Sequence, residues 1–267
     1  MIGRHRRLGS VAGAAQVAAA VVVLATPQPA HAQTAEGPAS GPPPPGEPRP
    51  LSLPELADLR LANGARLLVV PNREVPLVTV DVVLPGGQAT DPDGLEGVSI
   101  LAASLLESGT TARTYDAIVG ELDRLGVSLD ATADADWTRI SLAALTDVLD
   151  PALEIMADVI TDPVFPEARL ETLRRQALGA LATQRSQPPA LARRVLLREV
   201  YGEHPYGKQT TEATLAAIDR EALLAHHARW YRPGSALIIV AGDVEAADVA
   251  RRLDDALAGW RGGAASG

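Results

Sequence analysis

The sequence predicts an α+β fold, an antiparallel sheet with helices packed on one face. Two observations carry this. Asn63-Gly64 sits between two β-rich runs, Asp58-Leu-Arg-Leu61 and Arg66-Leu-Leu-Val-Val70, which is a hairpin signal. Reading onward, strands and helices come in runs instead of alternating strictly, in the order β-β-β-α-α-β-β-α-α-α-α-β-α.

Each element has its own local reason. The hairpin's second strand ends at Pro71-Asn72, and a third strand, Leu77 to Leu84, closes at Pro85-Gly86-Gly87. The period then changes. Val98, Leu101 and Leu105 recur at helical spacing within Gly94 to Glu107, and Ser108-Gly109 ends that helix. Thr114 is placed to cap a second helix to Leu125. Two strands follow, Val127 to Ala133 and Trp137 to Leu145. Helices are expected over Asp150 to Ile160, Pro166 to Gln184 with its proline in the first turn, and Ala190 to Val200. A shorter helix, Glu221 to Tyr231, an all-apolar strand, Ala236 to Val240, and a last helix, Val244 to Leu257, complete the domain.

The first fifty residues read differently. Arg4, Arg6 and Arg7 precede the apolar stretch Val11 to Thr26, which Pro27 and Pro29 break ahead of the small-x-small triplet Ala30-His31-Ala32. That is the pattern of a secretory signal peptide over 1–32, and it implies a periplasmic or secreted protein. The alternative is a retained anchor, for which the stretch is short: a span needs about 20 residues, and Gln16 interrupts it. Residues 33–50, with the run Gly41-Pro-Pro-Pro-Pro-Gly46, read as a proline-rich, disordered, semi-rigid linker. The folded domain is expected over 51–260, and 261–267 reads as a glycine-rich tail or the start of a linker.

Composition excludes several classes. The 267 residues are 46% hydrophobic, enough to bury one sizeable core or two modest ones. There is no cysteine, so disulfides, thiolate-zinc sites, thiol nucleophiles and a lipid anchor on cysteine are excluded. The formal charge is −9, and removal of residues 1–32 would take away three arginines and no acids, leaving −12. No basic stripe offers itself to nucleic acid, and a chain this acidic is not drawn to anionic membrane surfaces once its leader is removed.

Words spread along the folded part resemble the N-terminal domain of the insulinase/pitrilysin family, the inverzincin zinc metallopeptidases that carry H-x-x-E-H on the first core helix. They include Leu61-Ala-Asn-Gly64, Gly86-Gly87 with Asp91, Leu105 to Thr110 (LLESGT), and Leu125-Gly126 with Ala131-Thr-Ala133. Further on come Asp162-Pro163-Val-Phe165, His204-Pro-Tyr-Gly207, Trp230-Tyr231-Arg-Pro233 and Ala241-Gly-Asp-Val244. The resemblance implies zinc as cofactor, held by two histidines one helical turn apart, with a glutamate to take the proton of zinc-bound water.

Those groups are missing. The family's second motif histidine stands five residues ahead of a helix-ending Gly-Thr, here Gly109-Thr110, so it maps to Ser104; the glutamate maps to Ala103 and the first histidine to Ile100. The third ligand, a glutamate about seventy-seven residues further on, maps near Leu181, between Ala180 and Ala182. Glu171, the nearest acid on that helix, lies nine residues before Ala180, about 13 Å along the axis. No histidine occurs between Ala32 and His204, so a small shift of alignment does not restore the site. The sequence therefore yields no catalytic, cofactor-binding or metal-ligating residue, only the degenerate positions Ile100, Ala103 and Ser104.

Other candidates are weaker. His226 and His227 are neighbours on a helix and point about 100° apart, so they do not chelate one ion in the i,i+4 manner. His204 reads as a loop or packing residue. Glu107 is a single carboxylate near the lost site. Ser104 lacks a base nearby in sequence, and Gly86-Gly87 lacks the rest of a phosphate loop. Trp137, Trp230 and Trp260 read as core or rim residues.

Some relatives work as pairs in which one subunit carries the zinc and a sister without ligands completes the substrate chamber. The resemblance implies that this chain is such a sister: a non-catalytic homologue, or pseudoenzyme, that partners an active H-x-x-E-H member in a heterodimer and holds extended peptide. Two alternatives stay open, a family hydrolase acting through an unrecognised site and a solitary exported scaffold.

Overall fold

The computed structural model describes residues 55–265. The proposed leader and the proline-rich segment lie outside those residues. The hairpin forms as expected: β1 (Ala57–Arg60) and β2 (Arg66–Pro71) pair antiparallel, with Arg60 opposite Arg66 around Asn63-Gly64. β3 (Leu77–Pro85), β4 (Ser128–Ala133) and β5 (Trp137–Leu145) follow, and β6 (Leu237–Gly242) is the late apolar strand. The six strands lie in the order β1-β2-β6-β3-β5-β4.

The sheet is antiparallel at four of its five junctions. The exception is β2 against β6, which run parallel, Arg66 opposite Leu237 through Pro71 opposite Gly242. The sheet is therefore mixed. A parallel neighbour requires a long crossover, and every helix but the last lies between these two strands in sequence. Gly242 makes the β6–β3 approach possible. Its φ is +136° and a Cβ there would stand 2.0 Å from the carbonyl oxygen of Leu77, so only glycine fits.

Burial alternates along each strand, as a half-covered sheet requires. Val78, Val80, Val82 and Leu84 of β3 are fully buried, while Thr79, Asp81 and Val83 face the other side and are half-buried. Burying each of these valines and leucines contributes roughly 1.5–3 kcal/mol. On the half-buried face, Ser141 donates to the Asp81 carboxylate across the β3–β5 pair at 2.5 Å.

Eight α-helices belong to the described residues. The inner layer on the buried face is α1 (Val98–Leu105), which packs on β4 and β5, and α3 (Leu149–Thr161), which packs on β5. α2 (Tyr115–Leu125) is capped by Thr114, whose hydroxyl accepts from the Ala117 amide at 3.3 Å. α4 (Glu167–Arg185) lies against α1 and α5 (Pro188–Tyr201). Pro166 caps α4 instead of opening its first turn. α6 (Glu212–Ala217) is a helix the periodicity does not predict, started by a reciprocal capping box between Thr211 and Thr214. α7 (Arg220–Trp230) packs on α1, and α8 (Ala246–Ala256) on α3 and β2.

Candidate functional site

α1 is the innermost helix, and its sequence explains why. Of its eight residues, Val98, Ser99, Leu101, Ala102, Ala103 and Leu105 are buried. Ile100 and Ser104 are the exceptions; both are exposed, with Ile100 at 38%. They stand at i and i+4, so α1 presents one open stripe, one helical turn long. The helix begins late, at Val98 and not Gly94, because Asp91 fixes its start. That carboxylate is 2% exposed and accepts from the amides of Gly97 at 2.6 Å and Ser99 at 3.1 Å. Burial raises its pKa, against the lowering effect of those hydrogen bonds.

The open stripe borders a cavity. Ile100 and Leu101 of α1 form one wall and Ala177, Ala180 and Leu181 of α4 the facing one, around about 420 Å³. Leu181 is one of two buried residues of α4, the other being Leu170. The structure thus brings together Ile100 and Leu181, positions 81 residues apart that the sequence reading singles out. Ala103 lies beneath them, 2% exposed, and Ser104 stands outside the cavity lining. The far side of the cavity is built by Arg194 and Leu197 of α5 and by Lys208, Gln209 and Thr210. Sequence reasoning misses these five, because α5 and the following loop reach the site only through tertiary packing.

Just past α1, Glu107 sits half-buried in a short 3-10 turn, Leu106–Ser108. Burial, and then the nearby Asp130 of β4, push its carboxyl up to about 7. It is a carboxylate unsuited to its surroundings, and it faces no histidine with which to act.

The histidines hold structure together. His227 donates from Nε2 to the carbonyl of Ile160 at 2.8 Å, with the Phe165 ring edge-on at 6.0 Å between centroids. His226 is 5% exposed, and its Nε2 is buried with no hydrogen-bond partner among the described residues. Desolvation first, then repulsion by His227, lowers its pKa to about 4, and burial lowers that of His227 too. His204 caps the turn Pro205–Gly207, its Nδ1 accepting from the Tyr206 amide at 3.2 Å. Gly86 has φ +106°, and its Cα comes so close to Trp230 that a Cβ would stand 2.6 Å from that side chain. Trp230 and Trp260 are core residues, and Trp137 is 43% exposed at the rim.

Zinc does not fit the α1–α4 cleft. Zinc is bound by imidazole nitrogen, thiolate or carboxylate oxygen, and no histidine, cysteine, aspartate or glutamate among the described residues lines the cleft. Among the described residues, no group of three or more histidines, cysteines, aspartates or glutamates lies close enough to hold a metal ion.

Comparison with known proteins agrees with this architecture. The family model for Insulinase (Peptidase family M16) matches residues 67–214, more than half of the chain. An uncharacterized zinc protease of Rickettsia felis is 27% identical over 188 residues, 70% of this chain and 46% of that protein. A non-peptidase homolog, YmxG, of Helicobacter pylori is 23% identical over 199 residues, 73% of this chain and 46% of its own. The crystal structure of a peptidase M16 inactive domain from Pseudomonas fluorescens superposes with a TM-score of 0.75 at 27% identity, covering 80% of this chain and 53% of that one. Pitrilysin superposes at 0.69 and 19% identity, covering 78% of this chain and 23% of its own, a likeness of fold. The chain spans about half the length of the curated relatives it matches. With the family model covering most of the sheet and the inner helices, the chain belongs to the insulinase family, peptidase family M16.

Proposed function

We propose that this chain is a non-catalytic member of its family, an exported subunit that partners an active zinc peptidase and helps hold extended peptide. One observation carries the reading. The single open stripe of the inner helix, where the family's two histidines would project, is Ile100 and Ser104, with Ala103 in place of the general base. A hydrolytic water has nothing here to be bound or deprotonated by. The descriptions of two relatives, a non-peptidase homolog and an inactive domain, support the same reading.

Surface chemistry supports partnership. α5 exposes Leu191, Val195, Leu196 and Val200 at 47–63%, apolar side chains spread over about half of the helix circumference. Exposed apolar groups so concentrated mark an interaction surface. Export rests on the charged, apolar and Ala-His-Ala segments of residues 1–32.

Pull-down from the exported fraction of the native host, followed by peptide hydrolysis with and without this chain, tests the proposal. Recovery of an H-x-x-E-H family member whose turnover falls without this chain supports it. If that enzyme works equally well alone, the chain is a solitary scaffold and the proposal fails.

A further inference from the structure

We propose that the cavity between α1, α4 and α5 binds the carboxyl terminus of a peptide whose last residue is apolar. The inference rests on the peptide-holding reading above and names which part of a peptide this cavity takes. Its walls are Ile100, Leu101, Leu181 and Leu215, and its volume of about 420 Å³ falls in the roughly 300–1,000 Å³ range of ligand pockets.

The charge of the lining selects the occupant. In a chain of net charge −9, no aspartate or glutamate among the described residues lines this cavity, whereas Arg194 and Lys208 do. Lys208 is already engaged, its Nζ 2.7 Å from Asp93 and donating to the Asp91 carbonyl at 3.2 Å. Arg194 differs. Its guanidinium donates one hydrogen bond, to the carbonyl of Thr210 at 3.2 Å, and among the described ion pairs it has no acidic partner. The remaining guanidinium donors match a carboxylate. Gln88 and Gln184 also line the cavity; their amides can both donate to and accept from a peptide backbone, which a fatty acid does not offer.

Titrating the full mature chain with acetyl-Ala-Ala-Leu carrying a free carboxylate, and with the same peptide as its carboxamide, tests this. The acid is expected to bind at least about fivefold more tightly, the worth of one partly exposed guanidinium–carboxylate pair. Arg194→Gln should bring the acid down to the amide's affinity and leave the amide unchanged. Ile100→Asp, at an exposed position that should not disturb folding, should abolish binding of the acid. Equal binding of acid and amide overturns the terminal-carboxylate assignment and leaves peptide holding intact, and an acid preference that survives Arg194→Gln overturns the part assigned to Arg194. Tighter binding of decanoate than of the peptide acid overturns it in favour of a lipid. Failure of both peptides to bind removes peptide holding at this cavity as well.

Discussion

Ile100 and Leu181, on α1 and α4, line one cavity, and on the reading proposed above each stands where a zinc ligand would be needed. Two apolar side chains there offer a metal no donor atom. Repairing α1 alone therefore leaves the coordination shell open. The triple substitution Ile100→His, Ala103→Glu, Ser104→His should leave zinc affinity low. Adding Leu181→Glu should raise it at least about tenfold. Competition with a chromogenic chelator measures both. A triple variant that binds as tightly as the quadruple would place the third ligand elsewhere.

Glu107 should be a liability at high pH. Its folded pKa lies near 7, above the ordinary 4.5, so the folded state prefers the protonated form. The contribution is present in full below pH 4.5 and is lost as pH rises through 7. Glu107→Gln should therefore stabilise the protein at pH 8 by about 1–2 kcal/mol, discounted for its partial exposure, and be neutral at pH 4. Chemical denaturation at the two pH values gives the comparison; equal effects would contradict the shift.

His226 acts in the opposite direction. Its folded pKa of about 4 lies below the ordinary 6.5, so the unfolded chain takes up the proton first. Stability should fall as pH drops from 6.5 towards 4, by on the order of 2–3 kcal/mol. His227, lowered as well, adds to the same loss. His226→Phe should flatten the profile in that window, as followed by thermal melting. An unchanged acid limb would mean that the lone Nε2 does find a partner.

Gly86 tests the packing beneath the site. With φ +106° and Trp230 2.6 Å from a would-be Cβ, Gly86→Ala should cost at least about 2 kcal/mol. Urea denaturation measures it, and a cost below 0.5 kcal/mol would show that Trp230 moves freely.

Much of this was legible in the residues, and the rest was hidden for physical reasons. The hairpin at Asn63-Gly64 and the cap at Thr114 are local signals, and both form as read. The parallel insertion of β6 beside β2 is not local: an apolar run such as Leu237–Gly242 says that it is buried but not which strands flank it. α6 is six residues long, too short for a period, and its only signal is the pair Thr211 and Thr214. At the site, counting back from Gly109 locates the open stripe of α1, because helical register is rigid. The cationic side of the cavity comes from Arg194 and Lys208, on α5 and the loop after it, which only tertiary packing brings opposite Ile100.

The most direct measurement of the central claim is the zinc content of the tag-free protein purified from its native host. Elemental analysis should find less than ~0.1 zinc per chain, since no donor set in the α1–α4 cleft survives dialysis against competing ligands. About one tightly held zinc per chain would contradict the claim that the metal site has been lost.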